Sequence, residues 1–260
     1  MKKWLNAPFI IFILAGTIIP MGVIAYYGLT DRSGVFTIEN ILAIGTADHA
    51  KAMGLSLLLS LTATLICLVL AFPLALILKD SKIGKKGFMV FIFILPMWMN
   101  FVLRTMAWQV LLEKNGPLGF LGIINTSYAV VLGMVYDYLP FMVLPIYNAM
   151  IKIDNSLIEA AYDLGASGST VLRKVIFPLT IPGIVSGVTM VFVPSLTTFA
   201  ISNMLGGGKV NLIGNIIEQE FTTTSNWNLG SGLSLVMMIF IVISMAFLEK
   251  FDRNGEGTMI

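Results

Sequence analysis

The chain has 260 residues, of which 57% are apolar and only 12% are charged. A soluble domain carries roughly twice that charged fraction, so the composition excludes an ordinary water-soluble globular protein. The net charge of +2 predicts no nucleic-acid partner, and Cys67, the single cysteine, supports neither a disulfide nor a metal site.

Long runs without Asp, Glu, Lys or Arg determine the predicted class. These runs cover residues 4–30, 52–78, 87–103, 115–136, 175–208 and 221–248. The third run continues apolar beyond Arg104 to Leu112, so every run reaches the roughly twenty helical residues that cross a bilayer. We therefore expect an all-α integral membrane protein, a single transmembrane domain over residues 1–260. Its six helices are expected near residues 7–28, 52–78, 87–112, 127–150, 182–204 and 230–248. Strands are excluded, because a barrel would show short alternating segments.

Lysine and arginine accumulate in cytoplasmic loops, and their distribution predicts the orientation. With the N-terminus inside, the cytoplasmic segments carry Lys2, Lys3, Lys79, Lys82, Lys85, Lys86, Lys152, Arg173, Lys174, Lys250 and Arg253. The opposite side carries Arg32, Lys51, Lys114 and Lys209. Both termini and the loop after the fourth span are therefore expected in the cytoplasm. The first apolar run is longer than the hydrophobic region of a secretory signal, which favours an uncleaved anchor.

Two ionisable residues fall inside predicted spans, Arg104 in the third and Asp137 in the fourth. A charge that faces lipid costs a few kcal/mol, so both side chains are expected to face the bundle interior, a partner or water. One interpretation is a structural ion pair between the two. The other is a path for a cationic ligand.

The polar insertion at residues 152–180, between the fourth and fifth spans, is predicted to form two short helices. Ser156 and Glu159 fit a capping box at the start of the first helix, and Gly165 suits the left-handed residue that ends it. Leu157, Ala160, Ala161 and Leu164 would form an apolar stripe along this helix. The second helix is expected over 170–177 and is expected to end at Pro178.

This insertion resembles the EAA loop of ABC importer permeases, E-A-A-x3-G-x9-I-x-L-P. Glu159, Ala160, Ala161, Gly165 and Pro178 match, while Val175 and Phe177 replace the family's Ile and Leu. The resemblance implies a type I, MetI-like permease whose loop binds a separate ATPase subunit. On that basis the chain is not an enzyme and binds no cofactor, since ATP and Mg²⁺ belong to the partner. The implied coupling residues are Asp154, Leu157, Glu159, Ala160, Ala161, Asp163, Leu164, Gly165, Ala166 and Pro178.

Further segments are similar to permeases of the spermidine/putrescine type, and most of all to their B-type subunit. These segments are Leu95–Trp98, Arg104–Trp108, Tyr138–Pro145, Ile153–Asp154 and Leu205–Gly207. The resemblance implies polyamine cargo, a second homologous permease, an ATPase dimer and an extracytoplasmic binding protein. It also implies a multi-pass position in the inner membrane of a bacterial cell. A polycation needs carboxylates and aromatic faces along its path. The candidates for that path are Asp137, Trp98, Tyr136, Tyr138 and Arg104, although 136–138 cannot all share one helical face.

Two alternatives to polyamine import stay open at this point. Neighbouring branches of ABC permeases carry sulfate, phosphonate, ferric ion or opines and share several of these motifs. A stand-alone secondary transporter would have the same hydropathy, with Asp137 as a proton site. Against this second alternative, the sequence shows no inverted repeat, and a gradient-driven carrier does not need an EAA loop. No cluster of His and Cys and no Ser/His/Asp set predicts a metal or catalytic site.

A GxxxG motif at Gly183 and Gly187 in the fifth span predicts close helix packing, within the subunit or against the second permease.

Overall fold

The computed structural model of the chain describes residues 12–80 and 95–256, and those residues are helical apart from connecting turns and one antiparallel bridge between Thr30 and Phe36. The helices are α1 (Ile19–Gly28), α2 (Glu39–Leu42), α3 (Ala47–Asp80), α4 (Phe101–Leu112), α5 (Ser127–Ile151), α6 (Asn155–Asp163), α7 (Gly168–Val171), α8 (Phe177–Thr197), α9 (Ala200–Gly206), α10 (Ile213–Thr222) and α11 (Trp227–Glu256). A π-helical turn, Leu14–Ile18, precedes α1, and a second one, Leu172–Ile176, joins α7 to α8.

Among the described residues, four helical segments are long and apolar enough to cross a membrane. They are Ala47–Lys79, Ser127–Ile151, Gly168–Thr197 and Trp227–Leu248. Two shorter apolar helices, Leu14–Gly28 and Phe101–Leu112, lie within the first and third predicted spans. Residues 7–11 and 87–94 of those two spans lie outside the described residues. The count of six spans and the cytoplasmic position of both termini therefore stay predictions.

The fifth predicted span, residues 182–204, differs from the observed helices at both ends. The helix begins earlier, at Gly168, and it stops at Thr197, after which Thr198 and Phe199 separate it from α9. Pro178 therefore does not end a second short helix as the sequence predicts. It lies in the first turn of α8, directly after the π-helical turn, and the chain continues past it. Proline lacks only its own amide donor, and the wider π turn lets the helix continue.

Helices α3, α5 and α8 pack against one another and form the centre of the bundle. Along α3, small side chains recur every four residues and are fully buried: Ala63, Cys67, Ala71 and Ala75. Positions four apart share one face of a helix, so this stripe lets α5 approach α3 closely. Met142, Val143, Ile146 and Met150 of α5 fill the space beside it.

The GxxxG motif of α8 packs against α5 within the chain. A Cβ atom added at Gly183 would lie 2.6 Å from Cβ of Ala149, and one at Gly187 would lie 2.7 Å from Sδ of Met142. At Gly183 the Cβ atom would also lie 2.7 Å from the Pro145 carbonyl oxygen, so only glycine leaves room for the α5 backbone at that position. The close-packing interpretation is thereby confirmed for contact within the subunit.

We expect Gly183→Val to force α5 and α8 apart. Overpacking of this kind costs about 1–3 kcal/mol, and the thermal unfolding midpoint of the purified chain in detergent measures it. Gly54→Val is the matched control, because nothing lies within 4 Å of a Cβ atom built at residue 54 in α3. Equal midpoints for the two variants would contradict the proposed role of Gly183 in packing.

Helix α11 packs against α1, α2, α8 and α10 at the side of the bundle. Its first turn is tied to the end of α1 by the Asn228 side-chain amide, which donates to the carbonyl oxygens of Tyr27, Thr30 and Asp31. Tyr27 lies in the last turn of α1, and Thr30 and Asp31 follow it, where the carbonyl oxygens at a helix end lack intrahelical amide partners. The long apolar helix at the C-terminal end of the chain is therefore anchored to the first described helix by side-chain hydrogen bonds.

A buried asparagine, Asn215 of α10, holds the segments that follow the break in the fifth span. Its Oδ1 accepts hydrogen bonds from the Ser202 hydroxyl at 2.7 Å and the Leu212 amide at 2.9 Å. Its Nδ2 donates to the Phe199 carbonyl oxygen at 3.1 Å and to Oδ1 of Asn203 at 2.7 Å. All four partners lie between residues 199 and 212, so one side chain fixes α9 and the following loop against α10.

We expect Asn215→Asp to loosen this region, because the new carboxylate cannot donate to Phe199 or Asn203. The loss of partners for a buried polar group costs about 1–3 kcal/mol. We therefore expect the amides of residues 199–215 to exchange hydrogen for deuterium faster in the variant than in the wild type. Asn211→Asp is the matched control, since Asn211 is exposed. Unchanged exchange in Asn215→Asp would show that the hydrogen bonds do not hold the segment.

Candidate functional site

The loop between α5 and α8 begins with an aspartate that caps α6. Oδ1 of Asp154 accepts a hydrogen bond from the Ser156 amide at 3.0 Å, so the N-cap is Asp154, and the predicted capping box at Ser156 and Glu159 is wrong. Both residue types cap helices well, and the chain leaves its extended conformation at residue 154, two residues earlier than predicted. The hydrogen bonds from Ser156 hold the pKa of Asp154 below its usual value. A lowered carboxyl pKa keeps the cap charged at any physiological pH, and the stabilisation is lost only as the pH falls through the lowered value.

Helix α6 has its last residue at Asp163, and Gly165 is the left-handed residue that terminates it, as the sequence predicts. Gly165 has φ +79°, and its amide donates to the carbonyl oxygen of Tyr162 at 2.8 Å. The amide of Ala166 donates to the carbonyl oxygen of Ala161 at 3.0 Å. These two hydrogen bonds define a Schellman motif, in which a left-handed residue reverses the chain after the last helical turn. The turn sends the chain from α6 into α7 and so into the fifth span.

The nine-residue helix α6 presents an exposed apolar surface. Leu164 is 88% exposed, and Leu157 and Tyr162 are about half exposed. Glu159, Ala160 and Asp163 are also exposed, whereas Ala161, Ala166 and Pro178 are partly buried. The predicted stripe therefore faces outward at Leu157, Ala160 and Leu164. Exposed leucines on a short helix at the end of a bundle are typical of a protein–protein contact.

Inside the bundle, Arg104 of α4 and Asp137 of α5 meet as an ion pair. Nε of Arg104 lies 3.4 Å from Oδ1 of Asp137, and the two side chains are only 6% and 2% exposed. The hydroxyl of Thr105 donates to Oδ2 of Asp137 at 2.9 Å. Contact between the two charges, one of the two alternatives left open by the sequence, is thus present in the structure. Thr105 was not predicted, although its position next to Arg104 places it on the same turn of α4.

The ion pair lines a cavity of about 470 Å³. Tyr138, Phe141 and Phe199 contribute aromatic rings to its wall. The cavity lies beside two stretches of irregular backbone: one separates the Leu95–Trp98 turn from the start of α4 at Phe101, and the other follows the end of α8 at Thr197. Non-helical backbone at membrane depth is tolerated where it lines a cavity, and transporters place binding sites at such interruptions.

The remaining predicted path residues lie in different places. The Tyr138 hydroxyl faces the Pro194 carbonyl oxygen of α8 at 3.4 Å, which puts Tyr138 in the cavity wall with Asp137. Tyr136 packs edge-to-face against Trp108 with ring centroids 5.4 Å apart, on another side of α5. Trp98 is 76% exposed and does not line the cavity. As expected, the three residues 136–138 do not share one face.

The cavity wall also contains Thr198 and Phe199, which the sequence analysis did not select. Pro194 gives a signal for them, because a proline inside an apolar run marks a place where a helix bends or ends. The interruption follows four residues later. The apolar run 175–208 conceals it, because neither Thr198 nor Phe199 is a turn residue.

A bundle of apolar helices with an exposed helical loop after its second long span is typical of a membrane transport subunit. The chain belongs to the family of binding-protein-dependent transport system inner membrane components, which matches residues 53–254. It is therefore a multi-pass transport subunit of the inner membrane, with the fold of MetI-like permeases.

Similarity to individual proteins agrees with this family. The spermidine/putrescine transport system permease protein PotB of Haemophilus influenzae is 37% identical over 235 residues, which cover 85% of this chain and 82% of the relative. A chain of a bacterial ABC transporter involved in the import of alginate superposes with a TM-score of 0.78 at 16% identity, covering 97% of this chain and 96% of that one. A chain of the inward-facing MetNI methionine transporter gives 0.57 at 19% identity, over 81% and 96% of the two chains. At these identities the two structures show the fold alone.

Proposed function

We propose that this chain is one of two permease subunits of an ATP-driven importer of polyamines such as spermidine and putrescine. The observation that best supports polyamines as the cargo is the 37% identity to a spermidine/putrescine permease over most of both chains. The cavity supports it, because a buried carboxylate surrounded by aromatic rings suits a protonated amine. Sulfate and phosphonate are anions, and Arg104, the cation of this cavity wall, is paired with Asp137.

The subunit would have a different partner at each of its two ends and a third beside it. The exposed face of α6 binds one subunit of an ATPase dimer, which holds ATP and Mg²⁺. A second, homologous permease completes the translocation path, and an extracytoplasmic binding protein delivers the cargo at the opposite end. The family is defined by dependence on such a binding protein.

The connection between loop and cavity suggests how ATP hydrolysis would move the cargo. The segment Gly168–Thr197 is helical without interruption from the loop to the cavity wall, a length of about 45 Å at 1.5 Å per residue. On the other side of the loop, α5 ends at Ile151 and carries Asp137 near its middle. A displacement of α6 would therefore move both walls of the cavity together. Rigid motion of this subunit against the second permease would open the cavity to one side of the membrane and then to the other.

Uptake by the reconstituted transporter tests this function. The chain would be assembled in liposomes with its sibling permease, the ATPase and the binding protein, and labelled spermidine and putrescine would be added outside with ATP inside. ATP-dependent accumulation of either polyamine is the expected result. ATP-dependent accumulation of sulfate or ferric ion instead would assign another cargo, and uptake by the chain alone on an ion gradient would indicate a secondary transporter.

A further inference from the structure

The ion pair between Arg104 and Asp137 leaves hydrogen-bonding capacity unused. Within the described residues, Nε and Nη1 of Arg104 and Oδ1 of Asp137 are buried and form no hydrogen bond. The 3.4 Å approach of Nε to Oδ1 is a contact between charges without the bidentate geometry that makes an arginine–carboxylate pair strong. The other oxygen, Oδ2, is held by the Thr105 hydroxyl. That hydroxyl shares its one proton with the Phe101 carbonyl oxygen, which also lies 2.9 Å away, so Thr105 positions Asp137 in part, while Oδ1 can accept a different donor.

Both charges line the same cavity, and they are the charged residues among the described residues of its wall. The rest of the wall next to Asp137 is aromatic and sulfur-containing, with Tyr138, Phe141 and Met99. Aromatic rings and thioethers attract a cation more weakly than a carboxylate does. None of these side chains is a second carboxylate. A cation that enters the cavity therefore has one anionic contact available, at Oδ1.

Besides Asp137, the Arg104 guanidinium already has a second favourable contact. Its Cζ atom lies 6.0 Å from the centroid of the Tyr136 ring, which is within the range of a cation–π contact. Arginine stacks on aromatic faces more readily than lysine, because its guanidinium is planar and weakly hydrated. The contact with Tyr136 is therefore available to hold the guanidinium when it loses contact with Asp137.

We propose that Arg104 is the resident counter-ion of Asp137 and that a protonated amine of the cargo displaces it from Oδ1 during each transport cycle. This inference rests on the proposed polyamine function and adds the mechanism of cargo release. A buried carboxylate needs a cation at all times, since an uncompensated charge in the membrane is costly. Arg104 supplies that cation when the cavity is empty. Its return to Oδ1 expels the ammonium group, so the cargo is bound without being trapped.

The alternation of Arg104 and the ammonium group at Oδ1, called the exchange below, predicts results that a purely structural ion pair does not. Removing both members of a structural ion pair with neutral residues is often tolerated, whereas removing one member is not. We therefore expect the doubly neutral variant, Arg104→Met with Asp137→Asn, to assemble with its partners like the wild type but to lose uptake by about tenfold or more, because the ammonium has lost its anionic contact.

Measurements of spermidine binding distinguish displacement of Arg104 by the ammonium group from simple contact between the ammonium group and Asp137. In the transporter without its binding protein, Arg104→Met removes the competitor for Oδ1. We expect this variant to retain labelled spermidine in equilibrium dialysis about tenfold more tightly than the wild type. Asp137→Asn and the double variant are expected to retain it less than the wild type. Each variant would be purified through a tagged ATPase in the presence of unlabelled spermidine, which supplies the cation that Arg104→Met lacks, and would be quantified as assembled complex before dialysis.

Several outcomes would overturn the exchange. They are wild-type uptake by the double variant, failure of the double variant or of Arg104→Met to assemble, and spermidine retention by Arg104→Met that is no tighter than that of the wild type. These failures are distinguishable from failure of the polyamine function. If the wild-type transporter accumulates labelled spermidine while the variants give any of these three outcomes, the cargo is correct and only the exchange is wrong. If the wild type accumulates no polyamine, the proposed function fails, and the exchange fails with it.

Discussion

Gly165→Val is expected to abolish docking of the ATPase, and with it ATP-driven uptake, while the permease stays in the membrane. Gly165 has φ +79°, a conformation that costs an L-residue about 1–2 kcal/mol and a β-branched residue more. To relieve that strain, α6 would have to unwind its last turn or point elsewhere, and its exposed face would no longer meet the partner. Co-purification of the ATPase with a tagged permease, together with polyamine uptake, measures the effect.

The chain offers a matched control for this variant. Gly208 also has positive φ, at +74°, and a Cβ atom built there meets nothing within 4 Å, as at Gly165. Gly208→Val carries similar backbone strain but lies on the predicted external side, so we expect normal docking. Glu159→Lys is a strain-free companion, because Glu159 is exposed on α6 and only its charge reverses. Normal ATP-driven uptake by both Gly165→Val and Glu159→Lys would overturn the assignment of the loop.

Asp137→Asn is expected to reduce polyamine uptake by at least about tenfold, because the change removes the buried negative charge that faces an ammonium group. The side chain keeps its size, and the Thr105 hydroxyl still has an acceptor at residue 137. Initial rates of labelled spermidine uptake in proteoliposomes measure the effect, normalised to the amount of assembled transporter.

Two further variants show whether the charge of Asp137 is what matters. Asp137→Glu keeps the carboxylate and is expected to retain part of the uptake. Asp48→Asn applies the same neutralisation to an exposed residue in the first turn of α3 and is expected to transport normally. Uptake by Asp137→Asn at the wild-type rate would remove Asp137 from the path.

Properties that depend on local sequence could be predicted for this chain. The apolar runs predict the long helices, because a membrane segment must be apolar along its whole length. Gly165 was identified correctly as the left-handed end of α6, since the Schellman motif depends on one residue type. The packing role of Gly183 was correct for the same kind of reason. In each case a short stretch of chain determines the outcome.

Properties that depend on contacts between distant segments could not be predicted. The choice of Asp154 over Ser156 as N-cap depends on where the chain turns out of α5, and both residues are competent caps. The interruption at Thr198 and Phe199 is supported by Asn215, sixteen residues beyond Phe199, and no local pattern links the two. The ion pair was one of two alternatives, because Arg104 and Asp137 are brought together only by packing of α4 against α5.

Site-directed cross-linking from α6 to the ATPase tests the account most directly. Ala160→Cys places a thiol on the exposed face of α6, and the native Cys67 is buried and does not compete for the reagent. In membranes that contain the complete transporter, we expect the thiol introduced at residue 160 to form a cross-link with the ATPase subunit, with a yield that changes on addition of ATP. Labelling of that thiol by lipid-phase reagents alone, without any cross-link to the ATPase at any stage of the ATP cycle, would contradict the account.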